Sequence, residues 1–551
     1  MTRWKIDQLY IEPALIEQGL LSLEEKILDP SKIPEILELS QYLSAHLRQL
    51  ESYVYCLLSQ NTDDKEAPLL QDLVTSFKSR FASFNLVIDE LLLLAPPPLP
   101  SFPLEERILL AKKRRPLAEE KLAEKLSING LHGWGQLYDS LVTHTSFPFQ
   151  GKNLSFGQIE NKLDEGDRCL RKEAFFSIQH AFDEKKELFA RVLNHLGGFR
   201  LENDLDRGYT FLEEALERNR MEEKTLFAMW KVVEANKQPL FDYLAQKAKH
   251  LGIERLSWYD LEAPLKSEKG TISLKEGSSL ILQHFHHFSP DMAHFAERAL
   301  ANQWVESEDR PKKRPGGFCT NFPLTKETRI FMTYGGSYTN LFTLAHELGH
   351  AYHSHVVFDL PEMEQDYRMN VAETASTMAE MILISAAIEG AKTREEKLKL
   401  LDEKIQRSVT YLLNIHARFL FEKSFYEERM KGYVSPDKLS ALMLQAQKTA
   451  FGDKLETYHP FFWASKMHFF FSGSAFYNFP YTFGYLLSLG IYDTIKSPDA
   501  YRDLLKDTGR MTVEDLVEKH LGFDLRDPLF WEKAVHIALA DISLYLKLSC
   551  S

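Results

Sequence analysis

Cysteine is scarce in this chain. Four occur in 551 residues, at Cys56, Cys169, Cys319 and Cys550, and no two form a CxxC pair. That excludes a disulfide framework and a cysteine-built metal site, and it suits a reducing compartment, so a cytoplasmic location is expected. A membrane-spanning run is also lacking. The most apolar stretch, Leu91–Leu94 followed by Ala95 and the Pro96–Pro100 run, is far too short. The N-terminal segment carries scattered charges and no apolar core, which argues against a signal peptide. No basic excess exists. Lys plus Arg number 66 against 79 Asp plus Glu, a net charge of −13, so neither nucleic acid nor membrane is expected as a partner. The sequence carries no 20–50-residue internal repeat and no low-complexity tract.

What remains is an ordinary globular composition, 44% hydrophobic and 26% charged. A chain of this length buries a large core, and its length alone suggests several domain-sized units, which an all-α enzyme can fuse into one body. Helical periodicity dominates. Leu69–Leu94 reads as one amphipathic helix, Leu104–Leu126 as a second helical block, Arg171–Leu196 as a helix stopped by Gly197 and Gly198, and Thr393–Lys431 as a long helix ended by Gly432. Gly130–Gly135 reads as a connection. Ser435-Pro436 and Ser497-Pro498 read as helix starts. The strand candidates are Ile272–Leu274 and Arg329–Tyr334, the latter closed by Gly335-Gly336. The Pro-rich run suggests a boundary that closes an N-terminal helical region, 1–100.

That chemistry centres on His346-Glu347-Leu348-Gly349-His350, an HExxH arrangement. Residues four apart on a helix share a face, so two imidazoles can meet one ion while Glu347 reaches a water beside it. The flanks Leu341, Phe342, Leu344, Ala345, Leu348 and Ala351 are apolar, and a buried helix bearing His, Glu and His is costly without a metal or partners. Downstream, Glu373 and Glu380 lie seven apart on a helix-like stretch, and either could complete a two-histidine, one-glutamate zinc set. Gly349, lacking a side chain, permits a second helix to approach closely. His353 and His355 follow the motif without ligand spacing; a supporting role is plausible for His353. His284, His286 and His287 read as packing or surface positions. Arg329–Tyr334 could act as an exposed edge strand that pairs with a peptide backbone. Tyr477, Tyr481 and Tyr485 recur every four residues, one stripe if helical.

HELGHAYH followed by VAETAS and Ala379-Glu380 resembles the oligoendopeptidase F and thimet oligopeptidase family of zinc peptidases. Trp258–Pro264, Lys313–Cys319 and Phe476–Tyr485 are also similar to oligoendopeptidase F segments, and the likeness runs from about Lys172 to the C-terminus. The resemblance implies a mainly α, multi-lobed helical zincin-type metallopeptidase. It also implies a deep central channel, a small β element beside the HExxH helix, a helical lobe of oligoendopeptidase F type at 101–190 and a zinc peptidase catalytic region at 191–551. It further implies one Zn2+ per chain on His346, His350 and Glu373, with Glu347 activating the water at the metal. The implied reaction is hydrolysis of internal bonds in short peptide substrates. The alternatives are a peptidyl-dipeptidase of the same family or, with little weight, a non-catalytic peptide binder. The resemblance places substrate contacts or transition-state donors at His468, Tyr477, Tyr481 and Tyr485, and backbone-binding positions at Phe331, Thr333, Tyr334 and Gly335. The oligomeric state is left open.

Overall fold

The computed structural model describes residues 2–98, 100–265, 272–314 and 316–550. Helices account for most of it, with five short strands among the described residues: β1 (Phe147–Phe149), β2 (Lys152–Leu154), β3 (Val305–Glu306), β4 (Phe318–Phe322) and β5 (Glu327–Phe331). The chain forms two compact units. One comprises Met1–Lys121, Lys269–Glu389 and Ile491–Gly522; the other comprises Leu122–Glu268, Gly390–Gly490 and Phe523–Ser551. Both are assembled from separated stretches rather than consecutive ones. The boundary expected at 190 falls inside the helix Lys186–Arg207.

The first unit opens with three packed helices, Pro13–Lys26, Ile33–Gln60 and Ala67–Leu94. The last matches the periodicity read from the sequence almost to the residue. Their apolar stripes close one core that includes Ile16, Leu20, Leu43, Leu47, Leu50, Val74 and Leu92. The next block is two helices, Phe102–Lys112 and Leu117–Ser127, because Pro116 cannot continue the first.

A three-stranded sheet in this unit has the order β3-β5-β4. β5 pairs parallel with β3 and antiparallel with β4, in the register Phe318↔Phe331, Cys319↔Ile330 and Thr320↔Arg329. The strand expected at an exposed edge is therefore the central one, and β4 lies at the edge. Phe331 is 1% exposed and packs with Trp4 and Phe322. The other strand candidate, Ile272–Leu274, is a helix entry. Ser273 accepts from the Glu276 N–H in a capping box, and the helix Leu274–Phe288 follows.

In the second unit, Gly130–Gly135 is helical rather than a connection; a π-type turn leads directly into Gly133–Thr143. Gly197 and Gly198 do not stop their helix, which runs on to Arg207. They let Phe425 and Arg429 approach, since a Cβ at Gly197 would lie 2.8 Å from the Phe425 ring. The long helix expected over Thr393–Lys431 is Arg394–Val409 and Ile415–Arg429, joined by a π-type turn at Thr410–Asn414. Ser435 and Ser497 cap as expected, accepting from the Lys438 and Ala500 N–H groups.

Among the described residues one helix, Met369–Gly390, is long and apolar enough to cross a membrane. It is mostly buried inside the protein and bears Glu373 and Glu380.

Candidate active site

The helix Tyr338–Val357 starts where Ser337 accepts from the Asn340 N–H. Its HExxH face meets the helix Met369–Gly390 at Gly349. A Cβ there would lie 2.5 Å from the Ala375 carbonyl oxygen and 2.7 Å from Ser376 Cα. Only glycine allows this backbone-to-backbone approach, and the approach brings the glutamates of the second helix to the histidines of the first.

Three ligand-type atoms converge. His346 Nε2 and His350 Nε2 are 3.1 Å apart, and Glu373 Oε2 is 3.4 Å and 3.7 Å from them. The three residues form the group suited to hold a metal ion among the described residues. Each is positioned from behind. Glu380 Oε1 lies 2.5 Å from His346 Nδ1, so that nitrogen carries the proton and Nε2 offers its lone pair. The Ala372 backbone hydrogen-bonds the His350 ring. Ser376 donates to Glu373 Oε2 at 2.8 Å. The two glutamates left open by spacing thus both meet His346, on opposite nitrogens.

Negative charge from three glutamates concentrates on His346. Burial opposes charge on His346, but Glu380, Glu373 and Glu347 outweigh it and push its pKa up to about 9. Burial and the His346 charge push His350 down to about 4. Two imidazole nitrogens and a carboxylate oxygen this close repel through their lone pairs unless a cation or shared proton sits among them. A divalent ion fits this donor set: neutral imidazole, carboxylate oxygen, and a hydrogen-bonded outer shell.

Glu347 is 6% exposed and its Oε2 is buried with no hydrogen-bond partner. Burial, reinforced by Glu373 and Glu380, raises its carboxyl to about 7. A buried carboxylate oxygen without a donor needs one, and a water or substrate proton beside it would serve. Glu347 adjoins the start of β4: a Cβ at Gly317 would lie 3.6 Å from Glu347 Oε1. The Cys319 thiol is raised by burial and by Glu347. Gly317 and Cys319 lie in the Lys313–Cys319 segment noted in the sequence, but nothing in linear order links β4 to the HExxH helix, so their place beside Glu347 was not legible there.

The remaining positions divide. Ile330 and Met332 direct their N–H groups to Trp304 and Glu306 on the β3 side. By alternation, Phe331 and Arg329 pair with β4, leaving the backbone groups of Cys319 and Asn321 on the sheet's outer edge. Phe331 and Tyr334 are 1% and 3% exposed, which removes both as side-chain contacts for a substrate. Thr333 is half-buried, and Gly335 is exposed with its N–H given to Asn340 Oδ1. His353 Nε2 lies 2.9 Å from Thr508 Oγ1, and its ring stacks on Tyr367.

In the second unit, Tyr477 precedes the helix Phe479–Thr494, so only Tyr481 and Tyr485 share it. Tyr485 is 2% exposed and stacks on Tyr411. Ser408 Oγ donates to the Ala538 carbonyl, so the Tyr485 hydroxyl donates to Ser408 at 2.8 Å. Its single proton is committed inside the core, which removes Tyr485 as an oxyanion donor. His468, Tyr477 and Tyr481 cluster, with His468 5.1 Å and 6.1 Å from the two rings, and all three are half-buried. Asn478 Oδ1 accepts from Arg418 Nη1 at 3.1 Å and from His468 Nδ1 at 2.8 Å. Neutral His468 therefore presents an Nε2 lone pair, and burial holds it neutral by lowering its pKa to about 4. It is a hydrogen-bond acceptor, not the oxyanion donor first expected. Of the two residues that set this tautomer, Asn478 lies in the Phe476–Tyr485 segment without being distinguished there, and Arg418 gave no sequence signal.

Comparison with known proteins agrees with this geometry. The chain is 23% identical over 570 aligned residues to Oligopeptidase PepF of Bacillus subtilis, covering 95% of this chain and 84% of that one. A solved structure from Chlamydophila abortus superimposes with a TM-score of 0.82 at 19% identity, covering 100% of both chains. Oligoendopeptidase-F from Enterococcus faecium does so with a TM-score of 0.70 at 18% identity, covering 97% of this chain and 98% of that one. These likenesses show the fold. The model of Peptidase family M3 matches residues 163–522, well over half of the chain and inclusive of every residue in the His346–Glu380 cluster. The chain is a metallopeptidase that belongs to peptidase family M3.

Proposed function

We propose that the protein hydrolyses internal peptide bonds of short oligopeptides with one zinc ion held by His346, His350 and Glu373. The observation that carries this reading is the convergence of those three side chains beside a buried, unpartnered Glu347 oxygen. The ion, when bound, polarises the scissile carbonyl and acidifies a nearby water. Glu347 takes the proton of the attacking water at Oε2 and passes it to the amine nitrogen that leaves. Its raised carboxyl suits both halves of that transfer at neutral pH. Glu380 and the Ala372 carbonyl keep the two imidazoles in their ligating orientation. The unpaired Cys319 and Asn321 backbone groups of β4 offer sequence-tolerant hydrogen bonds to an extended peptide. Tyr477 and Tyr481 are proposed as substrate contacts. The free thiols Cys56, Cys169 and Cys319 suit a reducing, cytoplasmic setting.

The test is mass spectrometry of peptide mixtures, some blocked at the C-terminus, after incubation with zinc-loaded enzyme. Internal cuts in blocked peptides are expected. They should vanish on chelation and fall by at least about 10²-fold in Glu347→Gln. Release of C-terminal dipeptides alone, with blocked peptides untouched, would favour the exopeptidase alternative. Normal turnover by Glu347→Gln would remove the assigned base.

A further inference from the structure

The second unit holds two cations on one aromatic ring. Arg418, 7% exposed, lies with its guanidinium carbon 5.3 Å from the Phe462 ring centre, and Lys466 Nζ lies 5.9 Å from the same centre. Arg418 spends two of its nitrogens on neutral oxygens, Nε on Asn414 Oδ1 at 2.9 Å and Nη1 on Asn478 Oδ1 at 3.1 Å. Among the described residues no carboxylate lies within ion-pair distance of either cation. The acids that act on them, Glu160 and Glu262, do so only through space. Burial and the Arg418 charge both work against the Lys466 ammonium.

A buried guanidinium without a carboxylate, beside a second like charge, is an unfavourable arrangement for a protein on its own. An anion relieves it. The fork geometry left at Arg418 and the point charge of Lys466 match a planar carboxylate. Asp164 joins Glu160 and Glu262 in mutual repulsion on the same unit, and that surrounding negative charge disfavours a multiply charged phosphate. Resting on the peptidase reading above, we propose that Arg418 and Lys466 form a carboxylate-binding site that takes a carboxylate of the substrate peptide. Two sources share this chemistry, the free C-terminus and an Asp or Glu side chain.

The experiment titrates zinc-loaded, full-length Glu347→Gln protein with a peptide bearing a free C-terminus, its C-terminal amide, and analogues in which internal Asp and Glu become Asn and Gln. The free acid should bind about tenfold more tightly than the amide. Lys466→Gln, which breaks no hydrogen bond, should shrink that ratio below about threefold. Arg418→Gln should do the same if it folds. A ratio that instead follows the internal carboxylates, and collapses in Lys466→Gln, supports the site with a side-chain source. The proposal is overturned if acid, amide and analogues bind wild-type-like protein equally, or if Lys466→Gln leaves every ratio unchanged. Cleavage of the same peptides by the unsubstituted enzyme reports separately on the peptidase reading.

Discussion

Glu373 and Glu380 sit on one helix and meet opposite nitrogens of one imidazole. The division matters because a ligating histidine works only if its other nitrogen is held. Glu380→Gln should keep the fold but lower zinc affinity about 10- to 100-fold, read by competition with a metal-binding dye. Retained affinity would show that Glu380 is a bystander. Tyr485 shows the opposite case, a residue type suited to catalysis but spent on packing. Removing its hydroxyl in Tyr485→Phe should cost roughly 0.5–1.5 kcal/mol of stability, by denaturant unfolding, with turnover unchanged. A large loss of kcat at unchanged stability would return it to the chemistry.

At the scale of the element, Gly349 decides whether the two site helices meet. Alanine is the better helix former by about 1 kcal/mol. Here its Cβ would be driven to 2.5 Å from a carbonyl oxygen and 2.7 Å from a Cα, and backbone cannot swing aside as a flexible side chain would. The clash wins. Gly349→Ala should destabilise by roughly 1–3 kcal/mol and weaken zinc binding, since the helices must separate and withdraw Glu373. Thermal unfolding with and without zinc measures both effects. A stabilised variant with full zinc affinity would contradict the crossing described. The sheet teaches a related lesson. The alternation of Arg329–Tyr334 announced a strand, but edge or centre depends on what lies alongside, and β3 comes from residues more than twenty positions earlier.

At the scale of the whole molecule, stability should carry a pH signature from Glu422. This side chain is 4% exposed, accepts from the Phe476 N–H at 2.7 Å, and is raised by burial to about 7 from its ordinary 4.5. Between those values the folded protein holds a proton that the unfolded chain has released. Stability therefore falls as pH rises from about 4.5 to about 7 and levels off above. Glu422→Gln removes the titration, so it should gain on the order of 1–3 kcal/mol over the unsubstituted protein at pH 8 relative to pH 5. Equal unfolding midpoints for both proteins at both pH values would show that burial does not hold that proton.

How much of this was legible in linear order follows from the range of the forces involved. Helix existence, the Ser435 and Ser497 caps and the HExxH face are settled by neighbours within about one turn, so periodicity and spacing reveal them. The sequence by itself thus determined an α-rich chain with two histidines and a glutamate on one helical face, and a glycine placed for close approach. Tertiary structure alone decided the rest. It chose which glutamate faces the Nε2 atoms of both histidines and which meets His346 Nδ1, made β4 rather than β5 the sheet edge, and buried Tyr485. It also turned His468 into an acceptor through Asn478 and placed Arg418 and Lys466 on one ring. Those outcomes depend on contacts between residues far apart in the chain, where burial and hydrogen-bond competition, not local propensity, set what a side chain can do.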